Sequence, residues 1–112
     1  MSRKLDAAIA EELGYEVDTC QGEWLMWVGQ NFENSVLVSE YSTDGNSMLE
    51  LIEEMLTRGW YAEIRYSHTT GFYSARFYKR GGERTIFYVA DTIPLAVAYA
   101  VYVALTGEGW TE

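Results

Sequence analysis

The stretch WYAEIRYSHTTGFYSARFYKRGGERTIFYVAD, residues 60–91, decides the fold. Apolar and polar side chains alternate through most of it, a period of two that is typical of strands burying one face. The alternating runs cover residues 61–66, 73–78 and 85–90. Short segments containing glycine separate the runs and are typical of hairpin connections. The sequence therefore predicts an antiparallel β-meander over about residues 60–90.

Apolar residues recur at helical spacing in the segments before and after the meander. Three helices are predicted, over about residues 2–13, 44–58 and 93–106. Ser2 is the expected cap of the first helix, whereas the second begins either after Ser42-Thr43-Asp44 or at a capping box on Ser47. Two further strands are predicted at residues 24–28 and 36–41. The fold class is α+β, a layered sandwich with a mainly antiparallel sheet of three to five strands, in one domain over residues 1–112.

Composition narrows the class of protein. With 48% apolar and 15% aromatic residues, the chain has enough core-forming side chains to fold despite its net charge of −9. One cysteine excludes an internal disulfide framework. The opening MSRKLD lacks the apolar segment of a secretory leader. The uncharged stretch over residues 92–107 is shorter than the roughly 20 residues of a membrane span. We therefore expect an acidic intracellular protein with no membrane partner.

Several short motifs resemble those of the phage ABA-sandwich domain family. They are Leu13-Gly14-Tyr15, Tyr41-Ser42-Thr43-Asp44, Gly59-Trp60 and Ala90-Asp91-Thr92-Ile93-Pro94. The resemblance extends over about residues 5–105 and implies a layered α/β fold, a bacteriophage or prophage origin and a location in the host cytoplasm. It implies no catalytic signature. The chain departs from the family in its last helix, which has no charged residue over 93–106.

Residues that carry enzyme chemistry are sparse. The single histidine, His68, falls in a predicted hairpin connection, and Cys20 lies between acidic residues that disfavour a thiolate. The spacing of metal ligands is absent, and Gly81-Gly82 is not part of a phosphate-binding P-loop. We therefore predict that the protein is not an enzyme, with no catalytic residue, cofactor or metal.

The cations are concentrated in the meander. Residues 65–84 contain five of the eight lysines and arginines and one acid, a local charge of +4 that leaves −13 on the remainder. Arginine binds phosphate through a two-pronged hydrogen-bonding group, and aromatic rings stack on bases. The predicted ligand-binding residues are Arg65, Arg76 and Arg84 for phosphates, with Phe72, Tyr66 and Trp24 for bases. The alternative is a solvated or ion-paired sheet face.

Two classes of function fit this pattern. In the first, the protein binds and sequesters a host nucleotide immune signal of the cyclic oligonucleotide or cyclic ADP-ribose type; the acidic remainder would repel a long nucleic acid. In the second, acidic helix residues such as Glu50, Glu53 and Glu54 imitate a phosphate backbone and block a bacterial defence complex. An accessory phage protein without a small ligand is a third interpretation.

The last helix is apolar all round. Val97, Val101 and Leu105 are expected to pack on the sheet. We expect four residues on the other side of the helix to stay uncovered: Ala96, Tyr99, Ala100 and Val103. An uncovered apolar surface of this kind predicts a homo-oligomer interface. The alternative is that the second helix and the early region cover that side within one chain.

Overall fold

The structure, a computed structural model, describes residues 3–20, 22–28 and 34–111. Three helices lie at Arg3–Glu12 (α1), Gly45–Thr57 (α2) and Ile93–Thr106 (α3). The strands are β1 (Glu16–Cys20), β2 (Glu23–Val28), β3 (Asn34–Leu37), β4 (Tyr61–Tyr66), β5 (Tyr73–Tyr78) and β6 (Tyr88–Ala90). They form two antiparallel sheets, a first sheet ordered β1-β2-β3 and a second ordered β4-β5-β6. The predicted α+β class, the helices and the meander are confirmed, and Ser2 lies outside the described residues.

The second sheet buries its inner face against α3. Its register pairs Ala62 with Phe77 and Tyr73 with Ala90, and cross-strand partners share a face. Ala75 and Phe77 are fully buried there, as the alternation predicts.

The third run of the meander is shorter than expected. The Thr85 N–H donates to Phe77 O at 2.8 Å, and the Phe77 N–H donates to Thr85 Oγ1 at 3.1 Å. The hydroxyl oxygen of Thr85 therefore takes the position that a backbone carbonyl oxygen has in regular strand pairing. Regular pairing begins only at Tyr88, and Ile86 is 72% exposed.

Helix α3 is the centre of the core. Thr92 caps it by accepting a hydrogen bond from the Leu95 N–H at 3.4 Å, with Pro94 in the first turn. Gly107, at φ +81°, ends it in a left-handed conformation that suits glycine. Beyond β5 and β6, α3 also packs against α1 and α2.

The side of α3 predicted to be uncovered is therefore largely covered within one chain. Ala96 and Ala100 have no exposed surface, so the expectation that they lie open to a second copy is wrong. Their small side chains permit close approach of the neighbouring elements. Tyr99 and Val103 are half-buried and keep some surface available.

The region before α2 is more regular than the sequence predicts. Strand β1, which was not predicted, pairs with β2 along its whole length, and α1 packs on both. Asp44 caps α2 by accepting from the Ser47 N–H at 2.8 Å, so the capping box on Ser47 is not the helix start.

A buried carboxylate joins α1 to the segment that precedes α2. Asp6, with no exposed surface, pairs with Arg3 at 3.0 Å and accepts from the Ser42 N–H at 2.9 Å. Arg3 also donates to Val38 O and Ser39 O, at 2.6 and 3.3 Å. Burial raises the pKa of Asp6, although the hydrogen bonds from Ser42 and Arg3 oppose that rise.

None of the helices within the described residues is long and apolar enough to cross a membrane.

We predict that Asp6→Ala lowers the free energy of unfolding by about 2–4 kcal/mol, because the Ser42 N–H and Arg3 lose their buried acceptor. Asp6→Asn keeps an acceptor without a buried charge and should cost less than about 1 kcal/mol. Since the pKa of Asp6 is raised, its stabilising contribution is greatest in acid and falls as pH rises through the native pKa. Urea unfolding at several pH values measures this, and equal losses for Ala and Asn would contradict it.

We predict that Ala100→Glu destabilises the fold itself, by about 3 kcal/mol or more, because it places an unpaired carboxylate in the core beside α1, α2 or the second sheet. Leu56→Glu is the control, since Leu56 is 51% exposed on α2 and should change stability by less than about 1 kcal/mol. A stably folded Ala100→Glu variant in urea unfolding would refute this burial.

Candidate ligand-binding face

The outer face of the second sheet brings three predicted residues together. Arg65 and Arg76 lie on adjacent strands, on the side away from the buried Ala75 and Phe77. Arg84 forms an isolated antiparallel bridge with Tyr78, and paired residues share a face, so it belongs to the same side. We call this surface the arginine face.

An aromatic ring lies beneath two of the guanidinium groups. The Cζ atoms of Arg65 and Arg76 are each 4.6 Å from the centre of the Phe87 ring. The ring attracts both cations and restricts their side chains. Two guanidinium groups held side by side can both donate to one phosphate.

Glu63 holds the two arginines in place. Its Oε1 is 2.8 Å from Arg76 Nε and Nη2, and its Oε2 is 2.9 Å from Arg65 Nη2. The hydrogen bonds from Arg76, and then those from Arg65, lower the pKa of Glu63. At neutral pH the trio has one carboxylate and two guanidinium groups, so it keeps a formal charge of +1.

More aromatic surface continues along the same face. Tyr61 and Tyr78 are cross-strand partners, with ring centres 5.6 Å apart and planes inclined by 30°. Tyr78 is 39% exposed. The arginine face is therefore an exposed surface of guanidinium groups and rings, which has the chemistry to bind an anion with a planar part.

Two of the three other predicted ligand-binding residues lie away from the arginine face. Tyr66 points to the inner side of the sheet, against Tyr73 at 4.9 Å. Phe72 follows the β4–β5 turn and is 45% exposed. Trp24 lies on β2 of the first sheet, half-buried beside a cavity of about 300 Å³. The structure therefore does not place Tyr66 or Trp24 on the arginine face. Phe72 continues the β4–β5 ladder by accepting from the Ser67 N–H at 3.0 Å, and its position two residues before Ser74 gives it the side of Arg76.

Three rings on the arginine face are not among the predicted site residues: Phe87, Tyr61 and Tyr78. The sequence predicts the side of Tyr61 and Tyr78, because residues separated by an even number of positions on one strand share a face. Tyr61 is so related to Arg65 on β4, and Tyr78 to Arg76 on β5. Tyr66, one residue after Arg65, has the opposite parity. Which rings share a face with the arginines is therefore predicted better by alternation along the strand than by closeness in sequence.

Two further features of the described residues concern metal binding and the single histidine. No group of three or more His, Cys, Asp or Glu residues that could hold a metal occurs among residues 3–20, 22–28 and 34–111. The His68 ring lies edge-on to Tyr66, 5.3 Å away, beside the β4–β5 turn.

Together the fold and the face define a small layered α+β protein with a cationic, aromatic sheet surface. The fold is similar to that in the 2.0 Å crystal structure of a phage protein from Bacillus cereus ATCC 14579, with a TM-score of 0.77. The two chains are 16% identical, and the match covers 99% of this chain and 92% of that one. At this identity the similarity shows the fold alone. No protein-family model matches the chain, and no curated protein matches it.

We predict that the Glu63 carboxyl titrates below its ordinary value of 4.5, because both arginines stabilise the ionised form. The stabilisation that this ion pairing gives is present above the pKa of the unfolded chain and is lost as pH falls through the lower native pKa. NMR titration of the side-chain carboxyl measures the midpoint. Arg76→Gln should move it upwards, whereas Arg58→Gln, which removes the partner of Glu54, should not.

Proposed function

We propose that this chain is a non-catalytic phage counter-defence protein that binds and sequesters a host nucleotide immune signal in the host cytoplasm. The class of ligand is a cyclic oligonucleotide or a cyclic ADP-ribose type molecule. The observation that carries the proposal is the pair Arg65 and Arg76, fixed over Phe87 on an exposed sheet face. The phage origin is supported by the fold of the Bacillus cereus phage protein and by motifs resembling the phage ABA-sandwich family.

The positions of the charges favour a small anion. The arginine face is the cationic part of a chain whose remaining residues, outside 65–84, carry −13. A long polyanion would extend beyond the face and meet that negative field. A compact ligand with one or two phosphates would stay within the arginine face, where the two arginines outnumber Glu63. Sequestration requires affinity and no bond breaking, so a face without a nucleophile is sufficient.

Glu63 sets the strength of the site. An incoming phosphate competes with this carboxylate for the hydrogen bonds of Arg65 and Arg76. The carboxylate keeps the two guanidinium groups ordered in the empty protein, which lowers the entropy lost on binding. It also cancels one of their charges. The balance of the two effects makes Glu63 the most informative residue to change.

Homo-oligomerisation belongs to the same proposal. Because Ala96 and Ala100 are buried, Tyr99 and Val103 are the two of the four predicted interface residues that keep surface for a second copy. This contact would be separate from the arginine face, because α3 packs on the inner side of the second sheet.

A protein-directed inhibitor is supported by a separate observation. Glu50 and Glu53 are exposed on α2 and form no ion pair within the described part of the chain. Glu54 lies beside them and pairs with Arg58 at 3.1 Å. These carboxylates have the charge needed to occupy a basic groove of a defence complex. Affinity capture from an infected host distinguishes the two functions, since it recovers a protein complex in this case.

We predict that isothermal titration with a panel of cyclic dinucleotides, cyclic trinucleotides and ADP-ribose derivatives finds a ligand that binds at micromolar concentration or tighter. The double variant Arg65→Gln/Arg76→Gln should bind that ligand at least about 30-fold more weakly, because charge-assisted hydrogen bonds to phosphate are lost. Arg58→Gln makes the same chemical change on α2 and should bind like the wild type.

Glu63→Gln provides the complementary change, since it removes the competing carboxylate and should tighten binding severalfold at low salt. Absence of binding across the panel would overturn the proposal. So would a ligand whose affinity is the same for the wild type and for the double arginine variant.

A further inference from the structure

Strand β4 forms one edge of the second sheet, and the half of it next to the β4–β5 turn is exposed on both sides. Within the described part of the chain, β4 pairs with β5 alone. Ile64 and Tyr66 on the inner side are 40% and 49% exposed, and the Arg65 side chain on the outer side is 62% exposed. Unpaired edge strands are templates for a further strand, and proteins often protect them with lysine, proline or a bulge. The segment YAEIRY, residues 61–66, has none of these.

The hydrogen bonds of the β4–β5 hairpin show which backbone groups face the free edge. The Ser67 N–H donates to Phe72 O at 3.0 Å, so these two residues form a hydrogen-bonded pair beside the turn. Bonded and non-bonded pairs alternate along an antiparallel ladder, so every second residue counted back from Ser67 is bonded to β5. The residues between them, Ala62, Ile64 and Tyr66, direct their N–H and C=O groups to the free edge.

Charge selects the way in which a second copy can pair with this edge. Two identical antiparallel strands are related by a two-fold axis, so residues equidistant from the axis lie opposite each other. An axis at Glu63 or at Arg65 sets like charges opposite each other, which is unfavourable. An axis at Ile64 sets Glu63 opposite the partner's Arg65. The same axis makes Ile64 with the partner's Ile64, and Ala62 with the partner's Tyr66, hydrogen-bonded pairs, as the outward backbone groups require.

We infer that a second copy of this chain pairs with β4 about Ile64 and joins the two second sheets into one. The exposed Ile64 and Tyr66 side chains then gain cross-strand neighbours on the inner side. On the outer side the arginine faces of the two copies meet, and each Glu63 lies between Arg65 of its own chain and the partner's Arg65. The two Arg65 residues are diagonal neighbours, about 7–8 Å apart.

The partner thus contributes a residue to the proposed ligand site. The joined face carries a formal charge of +2, twice that of the Glu63, Arg65 and Arg76 trio of one chain. The pairing itself does not rest on the proposed function, because it follows from the edge strand and its charges. It is also separate from the predicted contact through Tyr99 and Val103 of α3.

The first experiment measures the mass of the full chain by light scattering. We expect the wild type to have the mass of two chains at submillimolar concentration. Arg65→Glu and Glu63→Arg each set like charges opposite each other across the axis, so each variant alone should be monomeric. In an equal mixture the two variants again set unlike charges opposite each other and should form a heterodimer. Arg80→Glu makes the same charge change in the β5–β6 turn and should stay dimeric.

Cysteine variants in a Cys20→Ser background locate the axis. Ile64→Cys places two thiols on the axis with Cα atoms about 5.5 Å apart, which a disulfide can join. Tyr66→Cys lies on the same side of the strand, but its two copies would be about 14 Å apart, which is too far. With oxidised glutathione as the oxidant, we expect Ile64→Cys to form covalent dimers on a non-reducing gel and Tyr66→Cys to stay a single chain.

The outcomes separate this inference from the proposed function. A monomeric wild type overturns the pairing and leaves the arginine face of one chain as the ligand site. A dimer that persists in both charge variants, or that forms a disulfide through Tyr66→Cys and not Ile64→Cys, also overturns it and leaves the α3 contact. If circular dichroism shows that a charge variant is unfolded, the two cysteine variants decide. Absence of ligand binding would overturn the proposed function and leave these masses unchanged.

Discussion

The rest of the structure depends on the burial of the middle of α3. Ala96, Val97, Ala98, Ala100 and Val101 have no exposed surface, because the helix lies between the second sheet and the other two helices. A helix without a charged face is stable in water only when protein covers it on most sides. Helix α3 covers the inner side of the second sheet, whereas the outer side has exposed residues such as Arg65 and Val89.

An open outer face on an antiparallel sheet needs polar side chains, and here they are organised around Glu63. Without that carboxylate, Arg65 and Arg76 on adjacent strands would repel each other above Phe87. With it, the two guanidinium groups are fixed and a single positive charge remains. The structure thus shows an ion-paired sheet face, as the alternative interpretation expects. The same residues are those of the proposed anion site, and ligand binding by them stays a prediction.

The sequence predicts well those features that depend on neighbours along the chain. The three helices begin and end within about two residues of the predicted bounds, because their caps and glycines are local signals. The features it predicts poorly depend on distant partners. Strand β1 is defined by its pairing with β2, and the burial of Ala100 by contacts that no local pattern contains. The clustering of cations in the sequence predicts the arginines. Their aromatic partners can be predicted only from which residues of each strand share a face.

The interruption at Thr85 connects the shape of the sheet to the proposed site. Because the Thr85 hydroxyl replaces a backbone acceptor for the Phe77 N–H, residues 85–87 leave the regular ladder and β6 is reduced to three residues. A longer β6 would hold Phe87 in a regular register beside Arg76 alone. Released from it, the ring lies equally close to Arg65, two strands away. The hydrogen bond to the Thr85 hydroxyl and the position of Phe87 between the two arginines therefore belong to the same interruption of the sheet.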